Sequence, residues 1–301
     1  MKNPYLNGKF FERLEAKSLN LKQNLNGFFG GAHQVRKNGE TVEFADFRDY
    51  VLGDDIRKID WNLYSRFEHH YIKLFKDERQ MHVNIYIDAS KSMEENKSKK
   101  DYAIALAAAL GFLAINNMDK VTFNVIKENR IESSPVIVGK NRFYEELHKL
   151  SEINFERDSR ISEALLKTKP TGKDGISIII SDFLTDNDFK KGIDYLVYQK
   201  KQILLIQVLA KEEIKPSYLG RFNLIDSESL GEADTKNMRI RINEGFIDAY
   251  NEALNLILND MKAYVKKREI SYFLASTDIN LDKVVFEGLM KVGLLWFLKL
   301  L

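Results

Sequence analysis

A short segment of the chain alternates apolar and other residues in a way that predicts secondary structure. Val83, Ile85 and Ile87 are apolar and β-branched, and a single residue of another type separates each from the next. A period of two with β-branched side chains is typical of a strand. The pattern therefore predicts a strand that begins near Met81 and ends at Asp88.

Patterns typical of strands and of helices alternate from residue 81 to the end of the chain. The run 175–180 is almost wholly apolar, as in strands buried on both faces of a parallel sheet. Further strands are predicted at 121–126, 135–138, 202–209 and 270–275, with a hairpin at 222–225 and 238–242. Helices are predicted at 102–114, 141–151, 160–168, 186–200, 244–267 and from Leu281. This order predicts an α/β fold, a three-layer, doubly wound, mostly parallel sheet with helices on both faces.

The N-terminal quarter of the chain has a different pattern. Apolar residues near helical spacing predict an amphipathic helix over residues 6–25, and the glycines at 30 and 31 end it. Alternation over residues 71–75 predicts a strand that leads into the segment at 81. We therefore expect an N-terminal extension of helix and strand, residues 1–80, packed on a main domain of residues 81–301.

Composition limits the classes of function that the chain can have. It has 301 residues, 44% of them hydrophobic, and its 46 Lys and Arg against 44 Asp and Glu give a formal charge of +2. This balance gives no electrostatic reason to expect binding to nucleic acid or to an anionic membrane. Because there is no cysteine, disulfides, thiolate catalysis and cysteine-ligated metals are excluded.

Neither end of the sequence has the pattern of an export signal or a membrane span. Residues 1–5 lead into a charged segment without an apolar signal region, and the apolar tail 292–301 is about half as long as a bilayer span requires. We expect the tail to form a helix packed on the core, with interfacial anchoring or a partner-helix face as alternatives. The expectation is a cytoplasmic protein.

The end of the predicted strand carries residues that can hold a metal ion. Asp88 is followed by Ser90 and Ser92, so a carboxylate and two hydroxyls stand at alternate positions of a tight turn. Mg²⁺ prefers such oxygen ligands and usually keeps several waters. The alternative is an ordinary turn followed by a helix N-cap, with no metal.

A second predicted strand also ends in an acid. Asp182 follows the apolar run 175–180 after one serine. In open α/β sheets the ligand crevice lies outside the carboxyl ends of the strands, where the strand order reverses. If the two strands are neighbours, Asp88 and Asp182 face the same crevice, and Ser159 in a preceding loop offers another hydroxyl.

The segment between residues 41 and 78 is dense in aspartate and arginine. Its candidate residues are Arg48, Gly53, Asp54, Asp55, Arg57, Asp60, Trp61 and Arg66. One interpretation is a polynuclear metal or acid–base site formed by the carboxylates. We favour the other, in which arginine–aspartate pairs, among them those of Arg57 and Arg66, fix a turn-rich segment against the main domain.

The segment from Asp88 resembles the metal-ion-dependent adhesion site of von Willebrand factor A domains, whose signature is D-x-S-x-S. The residues that match the signature, or that fall at the positions of a later threonine and a later aspartate, are Asp88, Ser90, Ser92, Ser159 and Asp182. The family usually has Thr-Asp where this chain has Ser159 and Arg160. The resemblance implies a bound Mg²⁺, or Mn²⁺, that these five residues hold, with Asp182 acting through water.

The chain as a whole is similar to a narrower bacterial family, the proteins containing domain of unknown function 58. The motifs that carry the similarity are Val42-Glu43-Phe44, Arg48-Asp49-Tyr50, the run from Gly53 to Trp61, Arg66 and Tyr71-Ile72-Lys73. The resemblance implies a von Willebrand A-like fold with no established enzymatic activity. Members are often encoded beside an AAA+ ATPase of the MoxR type, which implies an accessory role in the assembly, activation or metallation of client proteins.

Three functions therefore stand as alternatives. The one we expect is a non-enzymatic, metal-dependent binding module whose ion takes a carboxylate from a partner protein. The second is a metal-dependent hydrolase, although the sequence has no P-loop motif and its histidines lack ligand or triad spacing. The third is a metal-free scaffold in which the ion site is vestigial.

Overall fold

A computed structural model of the protein describes most of the chain. The described residues are 3–29, 44–75, 80–95, 97–155, 159–168, 175–184, 188–216, 219–225 and 237–288. The chain divides into two compact units, one of Met1–Asn26 with Met81–Leu301 and the other of Gly27–Gln80. The larger unit carries a six-stranded sheet and the smaller one a two-stranded sheet.

The described residues form strands and helices that are numbered in chain order. The strands are β1 (Phe44–Asp49), β2 (Tyr71–Phe75), β3 (His82–Asp88), β4 (Lys120–Lys127), β5 (Arg130–Ser133), β6 (Gly175–Ser181), β7 (Gln202–Leu209), β8 (Gly220–Ile225), β9 (Asn237–Ile242) and β10 (Ser271–Ser276). The α-helices are α1 (Gly8–Phe29), α2 (Trp61–Phe67), α3 (Lys91–Glu95), α4 (Lys97–Asn116), α5 (Lys140–Ser151), α6 (Ile161–Lys167), α7 (Lys190–Tyr198), α8 (Lys211–Ile214), α9 (Glu244–Lys267) and α10 (Leu281–Lys283). A 3₁₀ turn lies at Ile56–Lys58, and α10 continues as a π-helical turn, Val284–Gly288.

The six-stranded sheet has the order β10-β7-β6-β3-β4-β5. All neighbouring strands in it are parallel except β4 and β5, which are antiparallel. The chain builds from β3 outward through β4 and β5, and then adds β6, β7 and β10 on the other side of β3. This is a doubly wound order, in which the winding reverses between β3 and β6. The predicted three-layer, mostly parallel sheet is confirmed.

Helices cover both faces of this sheet, and its central strands are therefore buried on both sides. Successive residues of β6 show the two faces, since Ile178 belongs to one apolar core and Ile179 to the other. On the first face α1, α4 and α5 contribute aromatic residues such as Phe11, Phe112 and Phe143, while α6, α7 and α9 cover the second face. The almost wholly apolar sequence of β6 follows from this double burial.

The N-terminal helix α1 belongs to the larger unit. Phe10, Phe11 and Leu14 lie on one side of it and are buried in the core that α4 and α5 share. The sequence predicted a single extension of residues 1–80, whereas residues 1–26 are grouped with the sheet and a second unit begins at Gly27 and ends at Gln80. The physical reason is that the apolar stripe of α1 must be buried, and the sheet's own core buries it.

Two elements of the larger unit differ from the predicted ones. Instead of a strand at 135–138, β5 lies earlier and pairs with β4, while Ile137 forms only an isolated bridge with Val121. The helix predicted from residue 102 begins at Lys97. The predicted hairpin is present as a separate two-stranded antiparallel sheet of β8 and β9.

The apolar tail predicted to form a terminal helix, residues 292–301, lies outside the described residues. The glycines at 30 and 31 also lie outside them. Among the helices that the structure does describe, none is long and apolar enough to span a membrane.

Candidate metal centre

The carboxyl ends of β3 and β6 meet where the winding of the sheet reverses. Asp88 is the last residue of β3, and Asp182 directly follows the last residue of β6. The two strands are paired, with Ile87 opposite Ile180. Ligands of open α/β sheets bind at this position. The structure thus brings the two acids predicted from the sequence to one edge of the sheet.

Asp88 is a buried carboxylate that hydroxyl and amide groups hold in place. Asp88 is only 2% exposed. Its Oδ1 accepts a hydrogen bond from the backbone N–H of Ser90 at 3.0 Å, and its Oδ2 accepts one from the hydroxyl of Ser181 at 2.5 Å. The hydroxyl of Ser159 also donates to this carboxylate. Among the described residues no ion pair includes Asp88, and the neighbouring charge that raises its pKa is that of Asp182.

Burial and a second carboxylate change the ionisation of Asp88. Burial is the larger cause and the charge of Asp182 the next, and together they raise the pKa of Asp88 to about 6 although its three hydrogen bonds lower it. A raised carboxyl pKa means that the fold destabilises the charged form. A divalent cation bound at Asp88 would give this carboxylate a direct ionic partner, since the nearby ammonium of Lys99 pairs with Asp182 and Glu213 instead.

The two serines of the signature lie side by side. The Oγ atoms of Ser90 and Ser92 are 3.0 Å apart, and Ser90 is buried while Ser92 is partly exposed. Because Asp88 accepts the amide of the residue two positions later, the turn is an Asx turn, as the metal-free alternative predicted. The same turn nevertheless places two hydroxyl oxygens next to each other near a carboxylate.

The loop with Ser159 and Arg160 separates its hydroxyl from its cation. Ser159 is buried and forms a bridge with Glu128, and the backbone N–H of Arg160 donates to the Glu128 carbonyl at 2.7 Å. The side chain of Arg160 is 56% exposed and pairs with Glu163 at 3.3 Å. The arginine that stands where the von Willebrand A family usually has an aspartate therefore has a carboxylate partner in the next turn of its own helix.

Asp182 differs from Asp88 in having a cation of its own. Its Oδ2 accepts a hydrogen bond from Nζ of Lys99 at 2.9 Å, and its Oδ1 accepts one from the backbone N–H of Leu184 at 3.2 Å. The same Nζ donates to Oε1 of Glu213 at 2.7 Å. Both carboxylate oxygens of Asp182 thus already have a donor.

The donor set of this centre fits a hard divalent cation. Its two carboxylates and three hydroxyls, all of them oxygen donors, come from Asp88, Ser90, Ser92, Ser159 and Asp182. Oxygen donors suit Mg²⁺ and Mn²⁺, and Mg²⁺ keeps several waters and needs only one or two carboxylates. In the described part of the chain no group of three or more His, Cys, Asp or Glu could hold a metal. A metal here would therefore depend on hydroxyls and water as well as on acids.

Sequence reasoning missed two side chains of this centre. Ser181 was visible only as the residue before Asp182, and its hydroxyl faces Asp88 because β6 pairs with β3. Lys99 stands in a charged run, 97–101, in which nothing distinguishes it from Lys100. Lys99 points inward because α4 begins at Lys97 and includes it in the first turn. Helical spacing could have indicated this if the helix had been predicted to begin at Lys97.

In the smaller unit, Arg48 and Asp54 form the arginine–aspartate pair that the structure describes. The two nitrogens of the guanidinium donate to the two carboxylate oxygens at 2.7 and 2.6 Å, and the amide of Val51 donates to the same carboxylate at 2.9 Å. Gly53 has a φ of 109°, which a side chain would strain, so this turn needs glycine. The pair fixes the turn that the sequence predicted at 53–55.

The other two aspartates of the motif cap helical turns. Asp55 accepts the amide of Arg57 at 3.0 Å, and Asp60 accepts the amides of Asn62 and Leu63 at the start of α2. Side-chain oxygens at these positions satisfy amides that have no partner within the helix. These contacts give both carboxylates a local role in the folding of the segment.

Trp61 and the two remaining arginines of the motif are exposed. The ring of Trp61 contacts those of Tyr64 and His70 edge-on, at centroid distances of 5.9 and 6.4 Å. Arg66 lies in the last turn of α2, where a positive charge is favourable to the helix dipole. The ion pairs of the described side chains include none with Arg57 or Arg66, and the pairing predicted for these two arginines stays a prediction.

Asp60→Ala is expected to destabilise α2 by about 1 kcal/mol, because two amides would lose their acceptor. Hydrogen exchange at the amides of Tyr64 and Glu68, which close the turns of α2, measures the effect as faster exchange. Asp49→Ala is the control, since the side chain of Asp49 is 70% exposed. Equal exchange rates in the two variants would contradict the capping role.

Two similar solved structures each match less than half of this chain. The pilus adhesin SpaC from Lactobacillus rhamnosus GG, in its open conformation, matches with a TM-score of 0.35 and 8% identity over 44% of this chain and 24% of the adhesin. The SpRpn10 VWA domain matches with a TM-score of 0.31 and 12% identity over 43% of this chain and 76% of that domain.

Sequence relatives cover more of the chain. The uncharacterized proteins Rv1480 of Mycobacterium tuberculosis and Mb1516 of Mycobacterium bovis are each 24% identical over 229 residues, which are 73% of this chain and 72% of the relative. A family model described as "Protein of unknown function DUF58" matches residues 46–253, a range that includes the motif of the smaller unit and the candidate metal centre. This match spans more than half of the sequence, and the chain belongs to the DUF58 family.

Proposed function

We propose that this protein is a non-enzymatic, Mg²⁺-dependent module that binds other proteins. Asp88, Ser90, Ser92 and Ser159 would hold the ion, with Asp182 acting through water. The bound ion would supply a positive charge that attracts a carboxylate of the partner protein. Mn²⁺ would serve the same oxygen donors.

The observation that supports this proposal most is the state of Asp88. It is a fully buried carboxylate at the reversal point of the sheet, and its described partners are hydroxyls and an amide. Buried charges are normally paired or coordinate metals, because an unpaired one is costly. A fold that keeps such a carboxylate beside the hydroxyls of Ser159 and Ser181 would gain stability from a cation that binds oxygen.

The partner is proposed on the family resemblance alone. A MoxR-type AAA+ ATPase and a client protein are the partners which that resemblance implies, and an accessory factor in assembly or activation would need to bind both. A metal-free scaffold is the alternative, and Lys99 favours it in part because its ammonium already compensates Asp182.

Mg²⁺ is expected to raise the melting temperature of chelator-treated protein. A ligand present at one hundred times its dissociation constant stabilises the folded state by about 2.7 kcal/mol, so a rise of several degrees should follow. Differential scanning calorimetry with Mg²⁺, with Mn²⁺ and with EDTA measures it, and a melting temperature that neither ion changes would contradict the metal site.

The matched variants for this experiment are Asp88→Ala and Asp119→Ala. Both acids are buried, but Asp119 lies at the amino end of β4 and accepts the amide of Met81 there, away from the carboxyl ends of the strands. Both variants are expected to lose stability, and only Asp88→Ala should lose the response to Mg²⁺. Isothermal titration with the candidate ATPase, with and without EDTA, then tests whether partner binding needs the ion.

A further inference from the structure

Lys99 is a buried cation at the edge of the metal centre. The residue is 1% exposed, and Nζ lies 2.9 Å from Asp182 Oδ2 and 2.7 Å from Glu213 Oε1. An ammonium is seldom buried, because removing it from water is costly unless carboxylates receive it. Lys99, Asp182 and Glu213 therefore form a buried ion cluster.

This ammonium stays charged in the folded protein. Its Nζ lies within hydrogen-bond distance of both the Asp182 and the Glu213 carboxylate, and opposite charges this close favour the charged form of a lysine. A positive charge thus stands beside Asp182 at neutral pH. Any cation that enters the centre meets this charge.

Three elements hold the cluster in place. Lys99 lies in the first turn of α4, and Glu213 lies on α8, where its Oε2 accepts the backbone N–H of Ala210 at 2.7 Å. Tyr250 of α9 donates its hydroxyl to the Glu213 carbonyl at 2.8 Å. The lysine therefore has little freedom to move away when an ion binds.

The two acids of the centre consequently differ in what they offer to a metal. Asp88 has no described counter-charge, whereas Asp182 has its oxygens occupied by Lys99 and by the Leu184 amide. Like charges repel strongly at short range in a buried site, where the effective dielectric constant is about 20. A divalent cation would gain the full attraction of Asp88 and only part of that of Asp182.

We propose that Lys99 is a resident cation of the centre that sets, and lowers, its affinity for a divalent ion. This inference rests on the proposed function. It deepens that function in one respect, because a weakened site fills and empties with the supply of free ion and is strengthened when a partner carboxylate completes it. By linkage, the ion and the partner then strengthen each other's binding by the same factor.

The test is isothermal titration of chelator-stripped, full-length protein with Mg²⁺ at pH 8. Lys99→Met is expected to bind Mg²⁺ about tenfold more tightly than the unchanged protein, because a repelling charge is removed. Lys100→Met is the matched control, since it removes the same charge from the adjacent residue, which pairs with Glu94 instead. Its affinity for Mg²⁺ should equal that of the unchanged protein.

Glu213→Gln is a second variant, and it should change the affinity for Mg²⁺ in the opposite direction from Lys99→Met. It tests whether an effect of Lys99→Met is caused by misfolding. It removes a carboxylate that neutralises Lys99 while keeping an oxygen for the Ala210 amide, so the affinity for Mg²⁺ should fall. General destabilisation cannot raise the affinity in one variant and lower it in the other. Calorimetric melting in EDTA and in Mg²⁺ gives a second measure, in which Lys99→Met should show the larger gain from the ion.

The outcomes separate the two proposals. If the unchanged protein binds Mg²⁺ and neither Lys99→Met nor Glu213→Gln changes the affinity, the role of Lys99 is overturned and the metal site stands. If only Lys99→Met binds the ion, Lys99 has the proposed effect, and the Mg²⁺-dependent function of the natural chain is overturned. If no variant binds, both proposals are overturned.

Discussion

Asp88→Asn is expected to raise the melting temperature of the metal-free protein and to abolish its response to Mg²⁺. Burial, and after it the charge of Asp182, raises the pKa of Asp88 from an ordinary 3.8 to about 6. Each unit of such a shift corresponds to about 1.4 kcal/mol, so at neutral pH the charged form lowers the free energy of unfolding by about 3 kcal/mol. An uncharged amide of the same shape removes this cost, and roughly 5 °C of added stability should follow.

The predicted cost of the Asp88 charge can also be checked by measuring how stability changes with pH. Because the pKa of Asp88 is higher in the folded protein than in the unfolded chain, the folded state binds more protons between about pH 4 and pH 6. Stability in EDTA should therefore fall as the pH rises through this interval. In Asp88→Asn that fall should be absent, so the difference between the two proteins grows up to about pH 6 and is constant above it.

Asp182→Asn is the control for Asp88→Asn, because it makes the same change in the neighbouring acid. Asp182 has Lys99 as a partner, so its loss leaves a buried ammonium with one carboxylate in place of two. Metal-free stability should fall in this variant, as removal of one partner of a buried ion pair is destabilising. A rise in both variants, or a fall in both, would contradict the different charge balance at Asp88 and Asp182.

The meeting of Asp88 and Asp182 at one edge of the sheet could be predicted because the pattern of β3 and β6 is strong. Both strands are buried on both faces, so their sequences are rich in isoleucine and end abruptly in polar residues. That two parallel strands bring their following residues to one edge is a consequence of topology and needs no side-chain detail. Asp88 and Asp182 were therefore predictable, and so was their common crevice.

The counter-charges of the centre could not be predicted, because they depend on helix ends and on long-range packing. Lys99 meets Glu213 across 114 positions of sequence, and α8, which carries that glutamate, is only four residues long. The pairing of Lys99 with Glu213 leaves no periodic signal, although a helix predicted from Lys97 would have indicated that Lys99 points inward. The sequence thus predicted which oxygens are present but not which of them already have a cation.

Strand β5 was missed for a different physical reason. It is an edge strand, mostly exposed, and its residues Arg130, Glu132 and Ser133 do not alternate with apolar ones in a recognisable run. Val136 and Val138, which suggested a strand a few residues later, are exposed. Hydrophobic periodicity identifies strands that have a face to bury, and an antiparallel edge strand of four residues has almost none.

In the N-terminal region the sequence predicted an amphipathic helix but not the surface that it covers. That surface is aromatic: the ring of Phe11 lies 5.0 Å from that of Phe112 on α4, and 5.9 and 5.8 Å from those of Phe143 and Tyr144 on α5. Aromatic pairs at these distances contribute beyond the area that they bury. Phe11 is therefore the residue on which the attachment of α1 to the larger unit should depend most.

Phe11→Ala is expected to destabilise the larger unit by about 3–5 kcal/mol, because it leaves a cavity beside the rings of Phe112, Phe143 and Tyr144. Thermal melting followed by circular dichroism should show a fall of roughly 5–8 °C. Phe246→Ala is the matched control, since it makes the same change on helix α9 at a side chain that is exposed, and there the melting temperature should stay nearly constant. If both variants melt at the temperature of the unchanged protein, α1 does not contribute to the core.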